Sequence, residues 1–241
     1  MKIDYAIMSS NDNPLYLDFW DIVAPLWNRL GITPVLLYFG EHRPKNNGGV
    51  IVNMDTLVEN EPLATCWSRY WYASTLKDKI GIITDIDMLP LSNWYFVEQI
   101  ANIDIDKYVH INPCIEEYSR YPSCYHIAKG ITFKEVFNSF DTFQDDYTTL
   151  LRYAKYMKYE FKEVQNKLWC FDEHYATECI NLMDKENLIL LKRSGGINGN
   201  RIDRDNWKYD TNRINEYYDC HSIRPYSKYK KQIDELISLI K

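Results

Sequence analysis

Apolar residues recur along this chain at two spacings, and the points where one spacing gives way to the other mark its elements. Ile3 to Met8 alternates with the two-residue period of a strand, and Ser9-Ser10-Asn11-Asp12-Asn13-Pro14 follows as a polar loop with helix-capping chemistry. Leu15, Phe19, Ile22, Val23, Leu26 and Leu30 then fall on one helical stripe, in which Pro25 predicts a kink and Gly31 a stop. Val35 to Phe39 is a continuous apolar strand, and Val50 to Val52 a short one. From Leu63 the period is helical again, with Trp67, Tyr70, Trp71 and Ser74 on one side and Arg69 off it. Tyr108 to Ile111 and Leu188 to Leu191 read as further strands, and Pro122 to Gly130 as a strand closed by a small-residue turn. Thr132 to Phe140 and Gln144 to Phe161 carry helix patterns, and Ile233, Leu236, Ile237 and Ile240 line an amphipathic C-terminal helix behind a Ser227 cap.

The stretch with the clearest chemistry is Lys79 to Pro90. Its apolar run reads as a strand buried on both faces, and open α/β sheets bind ligands at the carboxyl ends of such strands. Asp85 and Asp87 stand two apart, the strand period, so an extended chain turns both to one side before Pro90 ends the strand. Two close carboxylates suit Mg²⁺ or Mn²⁺. A second D-x-D, Asp104-Ile105-Asp106, lacks the strand before it.

An apolar strand running into D-x-D at mid-chain resembles the metal site of the GT-A glycosyltransferases, which hold the diphosphate of a nucleotide sugar there. The resemblance implies an α/β GT-A fold: a mixed, mainly parallel sheet flanked by helices. It implies that Ser9, Ser10 and Asn11 in the first loop meet the nucleoside, where the residues alone read equally as an N-cap. Arg69 resembles the basic residue placed near the donor; a solvated helix charge is the other reading. Trp169-Cys170-Phe171-Asp172-Glu173 resembles the W-x-(x)-D-E segment, whose acids serve as acceptor-binding groups, general base or nucleophile, although two acids opening a helix also complement its dipole. His221 resembles the C-terminal His that completes the ion's shell, followed by Arg224 and Lys228 for the phosphates, without the glycine and K-P-W segment of the best-known version. Gly130 leaves room for a sugar in this resemblance, while His126, in an apolar strand, reads first as a satisfied core histidine. Lys192 to Arg201, with glycines at 195, 196 and 199, is a candidate lid, and Arg201 a further phosphate group.

Composition narrows the setting. A chain of 241 residues supports one large core, and we expect a single domain: residues 1–112 for the nucleotide sugar, 113–228 for the acceptor and the His, and 229–241 for the last helix. A net charge of -6 argues against nucleic acid. No apolar run approaches the ~20 residues of a membrane span, although peripheral contact stays open, and charges at Lys2 and Asp4 argue against a signal peptide; the expected location is cytoplasmic. The six cysteines form no C-x-x-C pair and read as reduced core thiols, while 20 Tyr and 7 Trp offer faces for sugar rings as well as a core. The expected activity is hexosyltransferase-type: a metal-dependent transfer from a nucleoside diphosphate sugar, UDP first, to a glycan or other hydroxyl acceptor. The terminal His leans towards retention. A phosphatase of the haloacid-dehalogenase type would place its D-x-D near the N-terminus, a nucleotidyltransferase would carry G-x-G-x-R after the first strand, and a non-catalytic sugar- or nucleotide-binding module stays open.

Overall fold

The structure is a computed structural model that describes residues 1–42, 44–54, 58–111, 120–160, 171–192 and 200–240. Its frame is a seven-stranded sheet in the order β3-β2-β1-β4-β7-β6-β8. The strands are β1 (Tyr5–Asn11), β2 (Thr33–Phe39), β3 (Val50–Asn53), β4 (Ile80–Ile83), β6 (Tyr108–Ile111), β7 (His126–Lys129) and β8 (Leu188–Leu191). All neighbours run parallel except β7, which lies antiparallel between β4 and β6. This is the mixed, mainly parallel sheet that was expected.

Strand alternation divides the apolar residues between two layers. Ala6, Met8, Leu36, Tyr38 and Ile82 pack with α2 (Trp20–Arg29) and with Ile233 and Leu236 of the C-terminal helix α7 (Tyr226–Ser238). Ile7, Val35, Leu37 and Ile83 pack on the other side with α3 (Glu61–Thr75), α4 (Gly130–Phe137), α5 (Phe143–Glu160) and α6 (Phe171–Asn181). Both faces of the sheet are therefore covered, which parallel strands require. The aromatic excess serves this core first: Trp20, Trp27, Trp67, Tyr70, Tyr95, Tyr108, Tyr125 and Tyr147 are all fully buried. Cys66, Cys124, Cys179 and Cys220 are in no disulfide, the last two buried as expected of core thiols and the first two half-buried; Cys114 and Cys170 lie outside the described residues.

Four local expectations are corrected. The strand expected to carry both acids stops at Ile83; Thr84 to Asp87 make a turn in which Met88 N–H donates to Asp85 O at 3.1 Å. The chain then enters a second, three-stranded sheet as β5 (Met88–Pro90), which pairs antiparallel with β10 (Asp219–His221), itself parallel to β9 (Arg201–Asp203). Changing sheets forces the turn. The helical stripe from Leu15 breaks at Asp18 and Phe19, not at Pro25: Asn13 caps a short α1 (Pro14–Leu17), and Pro25 sits inside α2, where the carbonyl it leaves unpaired belongs to exposed Asp21. Gly31 stops α2 with φ +73°, as its lack of a Cβ allows. The last helix is preceded by Pro225 with no side-chain cap, so Ser227 does not start it.

The fourth correction concerns Gly130. It opens α4 away from the cleft, and a Cβ there would stand 2.3 Å from Lys77 N and 2.7 Å from Leu76 C at the end of α3. The glycine admits a backbone, not a sugar. Gly130→Ala is therefore expected to destabilise the protein by about 1–3 kcal/mol, because the α3–α4 junction must move apart; a urea midpoint unchanged from wild type would contradict this packing.

Candidate active site

Ile7 of β1 pairs with Ile83, the last residue of β4, while β1 runs on to Asn11, and a cleft of about 580 Å³ opens between the end of β1 and the chain leaving β4. It is lined by Ser9, Ser10, Asn11, Arg69, Asp85, Asp87, Asp172, Glu173, Arg201, His221 and Arg224. Lys228 lies off the cleft, on the exposed side of α7 with its Nζ 4.9 Å from the centre of the Tyr229 ring. Gly195, Gly196 and Gly199 of the candidate lid, and Trp169 and Cys170 of the aromatic turn, lie outside the described residues. Asp104-Ile105-Asp106 is an exposed turn that is not among the residues lining the cleft, its Asp106 paired with Lys129.

The floor is organised by charge. Arg69, brought under the cleft by α3, is only 3% exposed. Its guanidinium donates to Asp85 Oδ1 and, at 3.0 Å, to Thr84 O, while its Nη2 lies 3.7 Å from Asp172 Oδ2. It is thus not a solvated helix charge: it lines the cleft and joins two acids. Desolvation pushes both floor carboxyls up. At Asp85 the Arg69 guanidinium more than offsets this and leaves the carboxyl below its usual range, whereas Asp87 stays above it.

Asp87 gathers positive groups onto one oxygen. Its Oδ2 is 3.2 Å from Arg204 Nη1, 3.5 Å from Arg224 Nε and 3.7 Å from His221 Nε2. The small sheet makes this meeting: β10 places His221 opposite Met88 on one side and beside Asp203 on the other, and Ser222 N–H donates to Asp87 O at 2.9 Å. His221 Nδ1 faces Asp203 Oδ2 at 3.8 Å. The His221 ring beside it holds the Asp203 carboxyl down to about 2. Arg224 stacks over the Tyr16 ring, 4.7 Å from its centre. Arg201 is committed elsewhere, gripping the fully buried Asp219 through Nη2 at 2.7 Å and Nε at 3.1 Å.

The wall opposite is the start of α6. Asp172, 1% exposed, accepts from Ser123 Oγ at 2.9 Å through Oδ2, while its buried Oδ1 has no hydrogen-bond partner. Burial pushes this carboxyl up to about 6, against the pull of Arg69. Glu173 is held by Arg120 Nε at 2.6 Å and by Ser123 N–H at 3.2 Å. At the first strand, Asn11 Nδ2 donates to Glu61 Oε1 at 2.7 Å, and Ser10 Oγ donates to Asn11 O at 3.0 Å. His126 is a core histidine, as the sequence favoured: Tyr108 Oη lies 2.8 Å from its Nδ1 and Pro122 O 2.7 Å from its Nε2.

Among the described residues no three His, Cys, Asp or Glu side chains lie together as a complete metal shell. Asp87 Oδ2 and His221 Nε2 nevertheless face each other with a carboxylate oxygen and an imidazole nitrogen, and Asp85 stands beside them on Arg69. Mg²⁺ and Mn²⁺ take few protein ligands and complete their shells with water and phosphate oxygens, so this donor set fits such an ion in part. Sequence reasoning missed Arg204, Asp203, Arg120, Ser123 and Tyr16. Arg204 lies in Arg201-Ile202-Asp203-Arg204-Asp205, where alternating charge reads as an ordinary polar loop; only the β9–β10 pairing brings it to Asp87.

No family model and no curated protein matches this chain. Solved structures do resemble it. One is the galactosyltransferase LgtC in complex with donor and acceptor sugar analogs, at 11% identity over 98% of this chain and 96% of that one, with a TM-score of 0.52. An active-site mutant of LgtC aligns at 12% identity over 97% and 95% of the two chains, with a TM-score of 0.55. The glycosyltransferase GlyE of Streptococcus pneumoniae aligns with 79% of this chain at 9% identity and a TM-score of 0.44, and the chain spans 45% of its length. The fold is that of the GT-A glycosyltransferases.

Two outcomes follow from the buried acids. Arg69→Met leaves Asp85 and Asp172 without their shared cation and is expected to cost about 3–5 kcal/mol in chemical denaturation; a loss below 1 kcal/mol would contradict the shared role. Asp172 binds its proton more tightly folded, at about 6, than at the ordinary 3.8, so the stability its neutral form contributes is complete below about pH 4 and lost as pH rises through 6. Urea midpoints of wild type and Asp172→Asn between pH 4 and 7 should therefore diverge in favour of the variant as pH rises; parallel curves would refute the buried, raised carboxyl.

Proposed function

We propose that this protein is a glycosyltransferase that moves a sugar from a nucleoside diphosphate, UDP first, to the hydroxyl of a glycan or similar acceptor, with Mn²⁺ or Mg²⁺ held by Asp85, Asp87 and His221. The observation that carries this reading is the meeting of Asp87 and His221 on the cleft floor, between the end of β1 and the chain leaving β4, in a chain with this fold. The LgtC complex holds donor and acceptor sugar analogs, which supports the substrate class.

The bound ion would supply Lewis acidity to the departing diphosphate. Arg224, fixed over Tyr16, is the basic side chain best placed to neutralise the same developing charge. Arg201 and Arg69 act from behind it, as counter-ions that hold Asp219 and Asp85 in place. Ser9, Ser10 and Asn11 form the edge on which a nucleoside would rest, with Asn11 steadied by Glu61. Glu173 is tied to Arg120 and Ser123 and orients the wall. Asp172 keeps an unsatisfied Oδ1, so it is the acid able to accept a hydrogen bond from a sugar hydroxyl. We place Lys228 outside this machinery.

Calorimetric titration of UDP, and then GDP, with and without Mn²⁺ tests the reading. Wild type is expected to bind one of them in a metal-dependent way, and Asp87→Ala and His221→Ala to weaken that binding at least roughly a hundredfold, since each removes an inner ligand. Tight nucleotide binding that ignores both the metal and these substitutions would sink the metal site, and no binding of either nucleotide would sink the donor class.

A further inference from the structure

Asp87 is paired with cations of the protein's own, and Arg204 is the nearer of its two arginines. Asp87 Oδ2, the oxygen nearest His221 Nε2, also accepts from Arg204 Nη1 at 3.2 Å. The carboxylate is 3% exposed and could not stay charged there unpaired at low cost. Arg204 differs from the other basic groups around the floor. Arg69 is sunk beneath Asp85, Arg201 is locked on Asp219, and Arg224, at the longer distance of 3.5 Å from the same Asp87 oxygen, is held over the Tyr16 ring. The Arg204 side chain is 29% exposed, follows directly on β9 and lines the cleft, so it has room to swing.

Resting on the metal reading above, we propose that Arg204 is a built-in stand-in for the divalent ion: it occupies Asp87 in the empty site, yields that oxygen when the ion binds, and then turns its guanidinium to the donor diphosphate. One carboxylate oxygen facing an imidazole does not hold a guanidinium and a divalent cation at the same time at full strength. Two charges compete for one oxygen, and the phosphates supply a new partner for the one displaced. Arg204 thereby makes ion and nucleotide binding favour each other. The ion alone must first break the Arg204 pair, whereas the ion with a diphosphate gives Arg204 a second carboxylate-like partner.

The two halves of this coupling carry opposite signs under one substitution. With Mn²⁺ alone, followed by calorimetry or by the electron paramagnetic resonance of free Mn²⁺, Arg204→Gln is expected to bind the ion roughly fivefold to tenfold more tightly than wild type, having lost the competitor. With Mn²⁺ saturating, the same variant is expected to bind UDP about tenfold more weakly. Lys208→Gln, which removes a nearby surface charge that pairs with no floor acid, is the control and should leave Mn²⁺ affinity as it is. Arg204→Lys keeps the charge but loses the guanidinium fork, and its Mn²⁺ affinity should fall between wild type and Arg204→Gln. Mn²⁺ binding by Arg204→Gln that is equal to or weaker than wild type overturns the proposal while leaving the metal site standing. An equal tightening in Lys208→Gln overturns it too, since a general field would then suffice. If wild type binds Mn²⁺ neither alone nor with UDP, the metal reading fails and the stand-in falls with it.

Discussion

Arg69 lies beneath the cleft with almost no access to water, and a guanidinium in that position needs carboxylates within reach or costs several kcal/mol. Asp85 and Asp172 meet that need from two different places, the turn after β4 and the first turn of α6. This requirement ties the rest of the site together. It joins the turn that carries the floor acids to the first turn of α6. Asp85 is oriented by Arg69 from below, whereas Asp87, two residues on, faces Arg204, Arg224 and His221.

The small sheet completes what the charge requirement begins. β10 lies between β5 and β9, so one strand near the C-terminus is stitched on one side to the segment just after the acids and on the other to the strand bearing Asp203. His221 is placed by backbone pairing on both flanks rather than by a loop. That is how a site on rigid elements keeps its geometry.

Charge in the cleft is close to balanced before any ligand arrives. Arg69, Arg204 and Arg224 face Asp85, Asp87 and Asp172, with His221 and Asp203 forming a further pair. An anionic diphosphate entering with a divalent cation changes the balance little, so neither has to be drawn in against a strong opposing field. Asp172 adds an acid whose burial pushes it up to about 6 and whose Oδ1 lacks a partner, a group held ready for a hydroxyl.

The sequence by itself determined the elements and much of the candidate site. Periodicity marked β6 and β8 to the residue, the apolar run before Asp85 marked a central strand, and the resemblance to the GT-A glycosyltransferases singled out Asp172, Glu173 and His221. These are local signals, carried by neighbours one, two or four positions apart. What only the tertiary structure decided are the partnerships. Nothing near Asp87 along the chain points to Arg204, since their meeting depends on β9 pairing with β10 and β10 with β5. Gly130 looked like room for a ligand and proved to be room for a helix end, because a missing Cβ does not say which backbone approaches. The carboxylates that Arg69 and Arg201 grip, Asp85 and Asp219, were likewise hidden from the sequence, because long-range packing chooses an arginine's nearest carboxylate in space.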